Sequence, residues 1–439
     1  DYIAWGEAAS GDLVVDPGLW SIDNFGDKVI ALIHNAQVFE WDSNATNAVT
    51  NRATIISGAP TASRDMLVST PDRHLVFFGT ETTIGTPSTQ DEMFIRFSNQ
   101  EDINTYQPTA VNTAGTQRLA DGSKIVGAVR GRDAIYVWTD TSLFTMRFIG
   151  QPFTFGFQQV GTNCGLIGQN AALEVDGAAY WFSENGFFKY SGNLETMKCL
   201  VEDFVYNDLN TTANQLVNVG LNNLFGEITW FYCTESSTVV NRCVTYNYLD
   251  STPQRPVWTT GTLARGAWQD SSVFGLPHAT SFTASDDASF DVVGNTEGST
   301  IYFEHEKGTD EALANGINVI TSNIESGDFD ITQARSRQGQ MTGVSDFRGD
   351  GEYLMKIRRF VPDFLSQTGN TQVTLQLKNY PNNSQASSPL GPFTITSSTD
   401  KVDTRARARA ISLKVANTAA NQSWKLGTFR LDTQPDGRR

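Results

Sequence analysis

The chain has 439 residues, of which 39% are hydrophobic and 11% aromatic, so it can bury an apolar core and disorder is not expected. Its length exceeds that of one ordinary core and predicts two domains. Its formal net charge of −16 argues against a protein that grips nucleic acid tightly, because such binding needs Lys and Arg to replace the counterions of the phosphates.

Short aromatic segments recur along most of the chain. Six aromatic residues mark them, at steps of 53, 44, 43, 49 and 72 residues: Trp41, Phe94, Trp138, Trp181, Trp230 and Tyr302. Steps of about 40–50 residues are typical of a β-propeller, in which each blade is a sheet of four short strands. The spacing predicts a β-propeller-like domain over residues 1–320. We expect four tryptophans to pack its blades together: Trp41, Trp138, Trp181 and Trp230.

Turn residues divide this domain into short predicted strands. The first hairpin joins residues 28–33 to 36–41, and three-stranded meanders follow at 124–149 and 171–190. In the second meander, Asp176-Gly177 is a strong signal for a two-residue hairpin turn. One helix is predicted at 200–209, where Val201, Val205 and Leu209 recur every four residues.

The pattern changes near residue 320. Beyond it, aromatic residues become sparse, Arg becomes frequent, and strands are predicted at 353–362, 372–380, 405–415 and 424–431. We interpret residues 321–439 as a separate antiparallel β-domain, sandwich-like in architecture. The predicted fold class is therefore all-β, a β-propeller-like repeat domain followed by a C-terminal antiparallel β-sandwich-like domain.

An alternating row of arginines lies in this last domain, where the final 39 residues hold nine Lys and Arg against three Asp. Its members are Arg405, Arg407 and Arg409, separated by alanines. In one strand, the period of two would put all three guanidinium groups on one face, in line with the apolar side chains of 411–415. Such a row is either an ordinary exposed face or a subunit interface that pairs with the carboxylates of a neighbour.

The sequence lacks the common motifs of enzymes and cofactor sites. It contains no G-x-S-x-G elbow, no G-x-x-x-x-G-K-[ST] loop and no G-x-G-x-x-G unit. The four histidines (34, 74, 278 and 305) have no metal-type spacing, and the four cysteines form no C-x-x-C pair. We therefore predict no catalytic residue, no metal and no cofactor. No run approaches the roughly 20 apolar residues of a membrane helix, so no membrane segment is expected.

Propellers also include glycosidases, which need two carboxylates about 5–10 Å apart across a sugar. Three candidate pairs occur: Asp286/Asp287, Glu304/Glu306 and Asp328/Asp330. An acidic chain yields such pairs by chance, which favours solvated turn carboxylates. A propeller glycosidase or depolymerase, or a glycan-binding adhesin, stays as the alternative function.

Segments along nearly the whole chain resemble the tail nozzle proteins of short-tailed phages, a family also called packaged-DNA stabilisation or tail hub proteins. The resemblance rests on the order of several short motifs: Gly150–Phe157, Cys164–Gly168, Asn185–Phe188, Val201–Val205, Trp424–Gly427 and Asp436–Arg439.

This resemblance implies a structural virion protein of the tail, assembled in the host bacterial cytoplasm. The family forms a homohexameric ring below the portal and its head–tail adaptor ring, retains the packaged DNA and provides the conduit for its ejection. The implied partners are other copies of the chain, the adaptor ring, tail fibres or spikes, and a plug or needle protein. DNA would pass through the lumen non-specifically, and carboxylates lining it would let the phosphates slide without binding. The family supplies no catalytic residues.

Overall fold

The chain divides into two compact units, Asp1–Glu306 and Lys307–Arg439. The computed structural model describes residues 19–46, 48, 50–70, 72–270, 273, 275–283, 299–313, 316–330, 353–380 and 388–437. Strands dominate both units, which confirms the predicted all-β class. The change of sequence pattern near residue 320 lies inside the second unit.

The described part of the first unit forms six successive antiparallel sheets, named blades 1 to 6, each a meander of consecutive strands. Blade 1 contains β1 (Trp20–Phe25), β2 (Lys28–Ile33), β3 (Val38–Asp42) and β4 (Thr54–Ile55). Blade 2 contains β5 (Asp65–Val68), β6 (Leu75–Phe78), β7 (Phe94–Phe97) and β8 (Gly115–Arg118). Blade 3 contains β9 (Ile125–Arg130), β10 (Ile135–Thr139), β11 (Ser142–Gly150) and β12 (Thr154–Thr162).

The remaining blades follow the same scheme. Blade 4 contains β13 (Ala172–Val175), β14 (Ala178–Ser183), β15 (Gly186–Tyr190) and β16 (Leu194–Met197). Blade 5 contains β17 (Asn218–Asn222), β18 (Glu227–Tyr232), β19 (Arg242–Asn247) and β20 (Trp258–Gly261). Blade 6 has three strands, β21 (Ala267–Gln269), β22 (His278–Thr283) and β23 (Ser299–Glu304).

The first strand of each blade contacts the first strand of the next, from β1 through β5, β9, β13 and β17 to β21. The blades therefore follow one another around a shared inner edge, as in a β-propeller. This arrangement confirms the predicted propeller-like repeat.

Local sequence explains the tight turns and the short helix. The Asp176-Gly177 turn joins β13 to β14, and both residues have positive φ, 53° and 81°, as the predicted hairpin requires. The predicted helix is shorter than expected: α1 (Glu202–Asn207) buries only Val205. Short 3₁₀ segments occur at Pro87–Thr89 and at Thr211–Leu216, the second of which is kinked at Ala213.

Three of the four predicted packing tryptophans occupy the second strand of their blade. Trp138, Trp181 and Trp230 lie on β10, β14 and β18 and are 0% exposed. The indole N–H of Trp230 donates to the Ala171 carbonyl across the boundary of blades 4 and 5, at 2.9 Å. All three belong to one core cluster that runs through blades 3 to 5.

Trp41 is placed differently. It lies on β3, the third strand of blade 1, and is only part-buried. Its indole N–H is 3.1 Å from the Ala48 carbonyl and 3.2 Å from that of Asn51, so its hydrogen bonds stay within the first blade.

The second unit consists of two sheets and two strand pairs. Its strands are β24 (Glu311–Leu313), β25 (Gly316–Asn318), β26 (Asn323–Glu325), β27 (Met355–Val361), β28 (Phe364–Thr368), β29 (Thr371–Lys378), β30 (Ser388–Ile395), β31 (Val402–Ala408), β32 (Ala410–Ala416), β33 (Ser423–Leu426) and β34 (Arg430–Pro435). The sheets have the orders β26-β32-β29-β30 and β31-β27-β34, and β24 pairs with β25 and β28 with β33. Residues from both sheets form one buried core, including Ile357, Phe360, Leu375 and Ile411, as the sandwich-like prediction requires.

The predicted single strand over 405–415 is wrong. It consists of two strands, β31 and β32, which belong to different sheets and meet at Arg409. Ala406 and Ala408 face the core from β31, whereas Ile411 and Val415 face it from β32. The side-chain alternation restarts at Arg409 because the chain crosses between sheets there, so the arginine row does not continue into the apolar residues.

Candidate functional site

A cluster of positive side chains covers one face of a sheet in the second unit. Arg405 and Arg407 are exposed on β31, because the alanines between them face the core. The neighbouring strand β27 places Lys356 directly opposite Arg407, and Arg358 lies at a bulge of the same strand pair. We call these four residues the basic face. With Thr404 and Asp436 they line a depression of about 390 Å³.

The charges of the basic face are incompletely compensated. Arg407 pairs with Asp436, with 2.6 Å between its Nε and the carboxylate oxygen. Within the described residues, Lys356, Arg358 and Arg405 have no ion-pair partner. Like charges facing each other across antiparallel strands are destabilising. An external carboxylate or other anion would relieve this repulsion, so the geometry suits an acidic partner.

Two of the three predicted interface arginines belong to this face, and the third does not. Arg409 is part-buried at the crossing between sheets, where its backbone N–H donates to the Lys378 carbonyl at 3.1 Å. Sequence reasoning missed Lys356 and Arg358. The signal was present, because Lys356-Ile357-Arg358 alternates in the same way as Arg405-Ala406-Arg407.

The two units differ strongly in charge. The first contains 15 Lys and Arg against 35 Asp and Glu, and the second contains 17 against 13. The net charge of −16 therefore divides into −20 for the first unit and +4 for the second. One copy of the chain therefore carries an acidic first unit and a basic face, and the basic face of one copy is complementary in charge to the first unit of another.

A buried carboxylate connects four blades of the first unit. Asp65 on β5 is 5% exposed and accepts hydrogen bonds from Ser21 Oγ of blade 1 at 2.6 Å and from Ala128 N of blade 3 at 2.9 Å. Gln169, just before blade 4, donates to it at 3.1 Å, and the Met66 N–H donates at 2.8 Å. Burial raises the pKa of Asp65, although these four hydrogen bonds oppose the rise. We call this network the Asp65 hub and assign it a structural role.

A second network and a glycine reinforce the same inner edge. Arg130 of β9 contacts Asp23 of β1 and donates to the Val68 carbonyl of β5 at 2.9 Å. The Val68 N–H in turn donates to Asp23 at 2.8 Å, so blades 1, 2 and 3 are tied together. A Cβ at Gly127 would lie 2.6 Å from the Gln169 carbonyl oxygen, which is why glycine stands where β9 approaches blade 4.

His74, to which sequence reasoning gave no role, lies in a chain of hydrogen bonds. Its Nδ1 is 2.7 Å from the Asp72 carboxylate and its Nε2 is 3.0 Å from Thr113 Oγ1. The order of acid, histidine and hydroxyl matches that of a nucleophilic relay. However, Thr113 Oγ1 already accepts from the Gln100 N–H at 2.8 Å and bonds the Asn99 side chain at 3.0 Å. The hydroxyl is fully engaged, which favours a structural latch within blade 2.

This latch predicts a pH dependence. Burial alone would raise the pKa of Asp72, but hydrogen bonds from His74 and Ser69 hold it below the ordinary value of 3.8. The unfolded chain therefore binds more protons in acid, and the stabilisation is complete above the unfolded pKa and lost as the pH falls through the folded one. We expect the stability difference between wild type and Asp72→Asn to shrink between about pH 5 and pH 2, measured by urea unfolding.

Asp250→Asn is the matched control, because Asp250 is exposed at a turn. Its stability difference from wild type should stay small over the same pH range. A difference for Asp72→Asn that does not change with pH would contradict the latch.

The other predicted carboxylate sites are scattered. Glu306 accepts a hydrogen bond from Asn222 at 3.1 Å, and Asp328 pairs with Lys378 at 2.7 Å. Asp286 and Asp287 lie outside the described residues.

Among the residues that the structure describes, no group of three or more His, Cys, Asp or Glu side chains could hold a metal ion. The four cysteines are free thiols. In the same described ranges, no helix is long and apolar enough to cross a membrane.

Comparisons with known proteins give only distant structural likenesses. No protein-family model and no curated protein matches the chain. The solved structure of BamB from Moraxella catarrhalis matches 65% of this chain and 82% of its own, at 12% identity and a TM-score of 0.33. An arginine-to-alanine triple mutant of AofleA from Arthrobotrys oligospora matches 66% and 83%, at 10% identity and a TM-score of 0.35. The designed protein Ika8 matches 64% and 70%, at 6% identity and a TM-score of 0.36. Likenesses at this level carry no functional argument.

Proposed function

We propose that this chain is the structural subunit of the tail nozzle of a short-tailed bacteriophage. It assembles into a ring below the portal and its head–tail adaptor, retains packaged DNA and forms the conduit for its ejection. The observation that carries the proposal is the basic face, whose Lys356, Arg358 and Arg405 have no carboxylate partner among the described residues. This observation supports assembly, and the phage context rests on the sequence resemblance.

Charge complementarity within one chain favours a head-to-tail contact. A basic face that meets the acidic first unit of the next copy uses two different surfaces of the protomer. Such heterologous contacts close into a ring when a whole number of equal rotations between neighbouring copies makes up one full turn. Arginine suits this role, because its guanidinium group binds carboxylates with two parallel hydrogen bonds. The resemblance to tail nozzle proteins sets the expected number of copies at six.

The acidic first unit also suits a passage for DNA. A net charge of −20 repels phosphate, so DNA would pass such a surface without being held. The proposed function depends on assembly and gating and needs no catalytic residue. Tail fibres or spikes and a plug or needle protein would complete the tail, which places the chain in the virion.

The test is assembly of the full chain with a purified portal–adaptor complex, followed by negative-stain imaging and native mass spectrometry. We expect six-copy rings on the adaptor. The double variant Arg358→Glu/Arg405→Glu should weaken ring formation about tenfold or more, because like charges then face the acidic neighbour. The control Lys425→Glu/Arg430→Glu changes the same charge at exposed positions outside the basic face and should assemble normally.

Two outcomes would count against the proposal. Wild-type chain that stays monomeric and does not bind the portal–adaptor complex would reject the nozzle function. Equal loss of rings in both double variants would show that total charge, and not the basic face, drives assembly.

A further inference from the structure

One hairpin of the first unit extends beyond the rest of its blade. Its strands β11 and β12 have nine residues each, and their pairing continues to Gly150 opposite Thr154. The pairing of the neighbouring strand β10 with β11 ends at Met146. The last four residues of β11 therefore extend about 13 Å past β10, at about 3.3 Å per residue. We call residues 147–157 the blade 3 hairpin.

The tip of this hairpin exposes three large apolar side chains, and they do not share one face. Phe153, in the turn, is 74% exposed, Ile149 is 57% exposed and Phe148 is 45% exposed. Phe148 faces His74 of blade 2, with 5.9 Å between the ring centroids. A Cβ at Gly156 would lie 3.3 Å from the Ile149 side chain, which places Ile149 on the opposite face. The exposed apolar surface thus includes both faces and the turn.

The base of the hairpin is held by blade 2. Phe155 is 5% exposed, and its ring centroid lies 4.9 Å from that of Phe97 and 5.2 Å from that of His74. The Thr154 hydroxyl donates to the Thr113 carbonyl at 3.1 Å. The tip is therefore presented on a fixed support, so that little ordering is needed when it binds.

The hairpin lies in an almost uncharged stretch of an acidic unit. Between Asp140 and Glu174 the sequence contains no Asp or Glu, and Arg147 is the only charged residue. The first unit as a whole contains 35 Asp and Glu. The part of the hairpin beyond Arg147 can therefore leave water without the cost of desolvating a charged side chain.

The backbone of the hairpin also suits an apolar medium, in which every N–H and C=O group must be satisfied within the segment. The pairing of β11 with β12 satisfies the strands as far as Gly150 and Thr154. The Phe155 N–H donates to the Phe153 carbonyl at 2.7 Å, and Pro152 has no N–H to satisfy. A groove on a protein would cover one face of the hairpin, whereas a lipid layer would cover both faces and the turn.

We propose that the blade 3 hairpin inserts its tip into a lipid bilayer. Phe153, Ile149 and Phe148 enter the apolar layer, and Arg147 stays at the level of the headgroups. An extension of about 13 Å is less than half of the roughly 30 Å apolar thickness of a bilayer, so the tip enters one leaflet and does not span the membrane. This inference does not rest on the proposed assembly, because the hairpin belongs to the first unit and the basic face to the second.

The test is flotation of the full chain with phosphatidylcholine vesicles. We expect wild type to float with the vesicles at about 0.1 M and at about 0.5 M NaCl, because an apolar contact is not screened by salt. Ile149→Ser/Phe153→Ser should lower the partition coefficient at least about tenfold, because two large apolar side chains are lost from the contact. In Phe153→Trp, brominated phosphatidylcholine should quench the added indole fluorescence above the wild-type background.

The matched control is Leu200→Ser/Phe204→Ser, which also removes one branched aliphatic side chain and one Phe. These residues are 63% and 47% exposed and lie in the link between blades 4 and 5. In a four-stranded meander, that link leaves the blade at the end opposite to the link between its third and fourth strands. The control should float as wild type does.

Four results would overturn the proposal. Folded wild type that does not float would reject lipid binding, and equal losses in both double variants would reject the hairpin as its site. Release by about 0.5 M NaCl would assign the binding to charge. If Ile149→Ser/Phe153→Ser floated as wild type does but lost self-association in sedimentation, the tip would be a contact between copies of the chain.

Discussion

Replacing Trp181 with alanine is expected to lower the free energy of unfolding of the first unit by about 3–5 kcal/mol. The side chain is 0% exposed, and its ring centroid lies 5.4 Å from that of Trp138 and 5.6 Å from that of Phe188. Its indole N–H also donates to the Cys164 carbonyl at 2.8 Å. Truncation would leave a large cavity between two blades and an unpaired buried carbonyl. Chemical unfolding followed by far-UV circular dichroism measures the change.

Two further variants separate packing from the hydrogen bond. Trp181→Phe keeps an aromatic ring but loses the indole N–H, so we expect an intermediate loss. Trp41→Ala should cost less than Trp181→Ala, because Trp41 is only part-buried and its hydrogen bonds stay within one blade. A Trp181→Ala protein as stable as wild type would show that this residue does not anchor the blades.

Replacing Asp65 with alanine should have an effect of similar size, about 3–5 kcal/mol, because it leaves several buried neutral hydrogen-bond donors without an acceptor, and each such donor costs about 1–3 kcal/mol. The hydroxyl of Ser21, the amide of Gln169 and the N–H groups of Met66 and Ala128 would lose their common acceptor. Water cannot easily replace it, because the site is almost fully buried. Thermal and urea unfolding of the full chain measure the loss.

Asparagine at position 65 keeps one acceptor oxygen and nearly the same volume, so Asp65→Asn should lie between wild type and Asp65→Ala. Asp250→Ala removes an exposed carboxylate from the same unit and should change stability little. If Asp65→Ala and Asp250→Ala had the same effect, the hub would contribute no stability beyond that of a surface carboxylate.

The aromatic repeat predicted the presence of the blades, but its marker residues do not occupy the same strand in every blade. Trp138, Trp181 and Trp230, at steps of 43 and 49 residues, all occupy second strands. Trp41, Phe94 and Tyr302 lie on third strands. The step of 44 residues from Phe94 to Trp138 therefore joins different strands of successive blades, and so does the step of 72 from Trp230 to Tyr302. The second and third strands are both central in a four-stranded blade and both carry aromatic residues, and Tyr302 lies on β23, the last strand of the three-stranded blade 6. Periodicity alone does not separate these strand positions.

No sequence motif predicts the polar networks of the inner edge in the way that the aromatic spacing predicts the blades. Ser21 and Gln169 are 148 residues apart, and their contact depends on the inner strands meeting at one edge. Neither residue stands in a motif, so only the tertiary structure shows them together. The prediction that Arg405, Arg407 and Arg409 share one face was wrong for a related reason. Alternating residues share a face only while they belong to one strand, and at Arg409 the chain passes from β31 in one sheet to β32 in the other.

The shared acceptor at Asp65 also constrains how this propeller can change during evolution. Because one carboxylate serves residues of three other blades, the effects of substitutions at Ser21, Asp65 and Gln169 should not add. A blade could not be duplicated or exchanged as an independent module without losing its part of this network. Blades 1 to 4 would then diverge as one coupled group, in which an altered residue is tolerated only when its distant partners change with it.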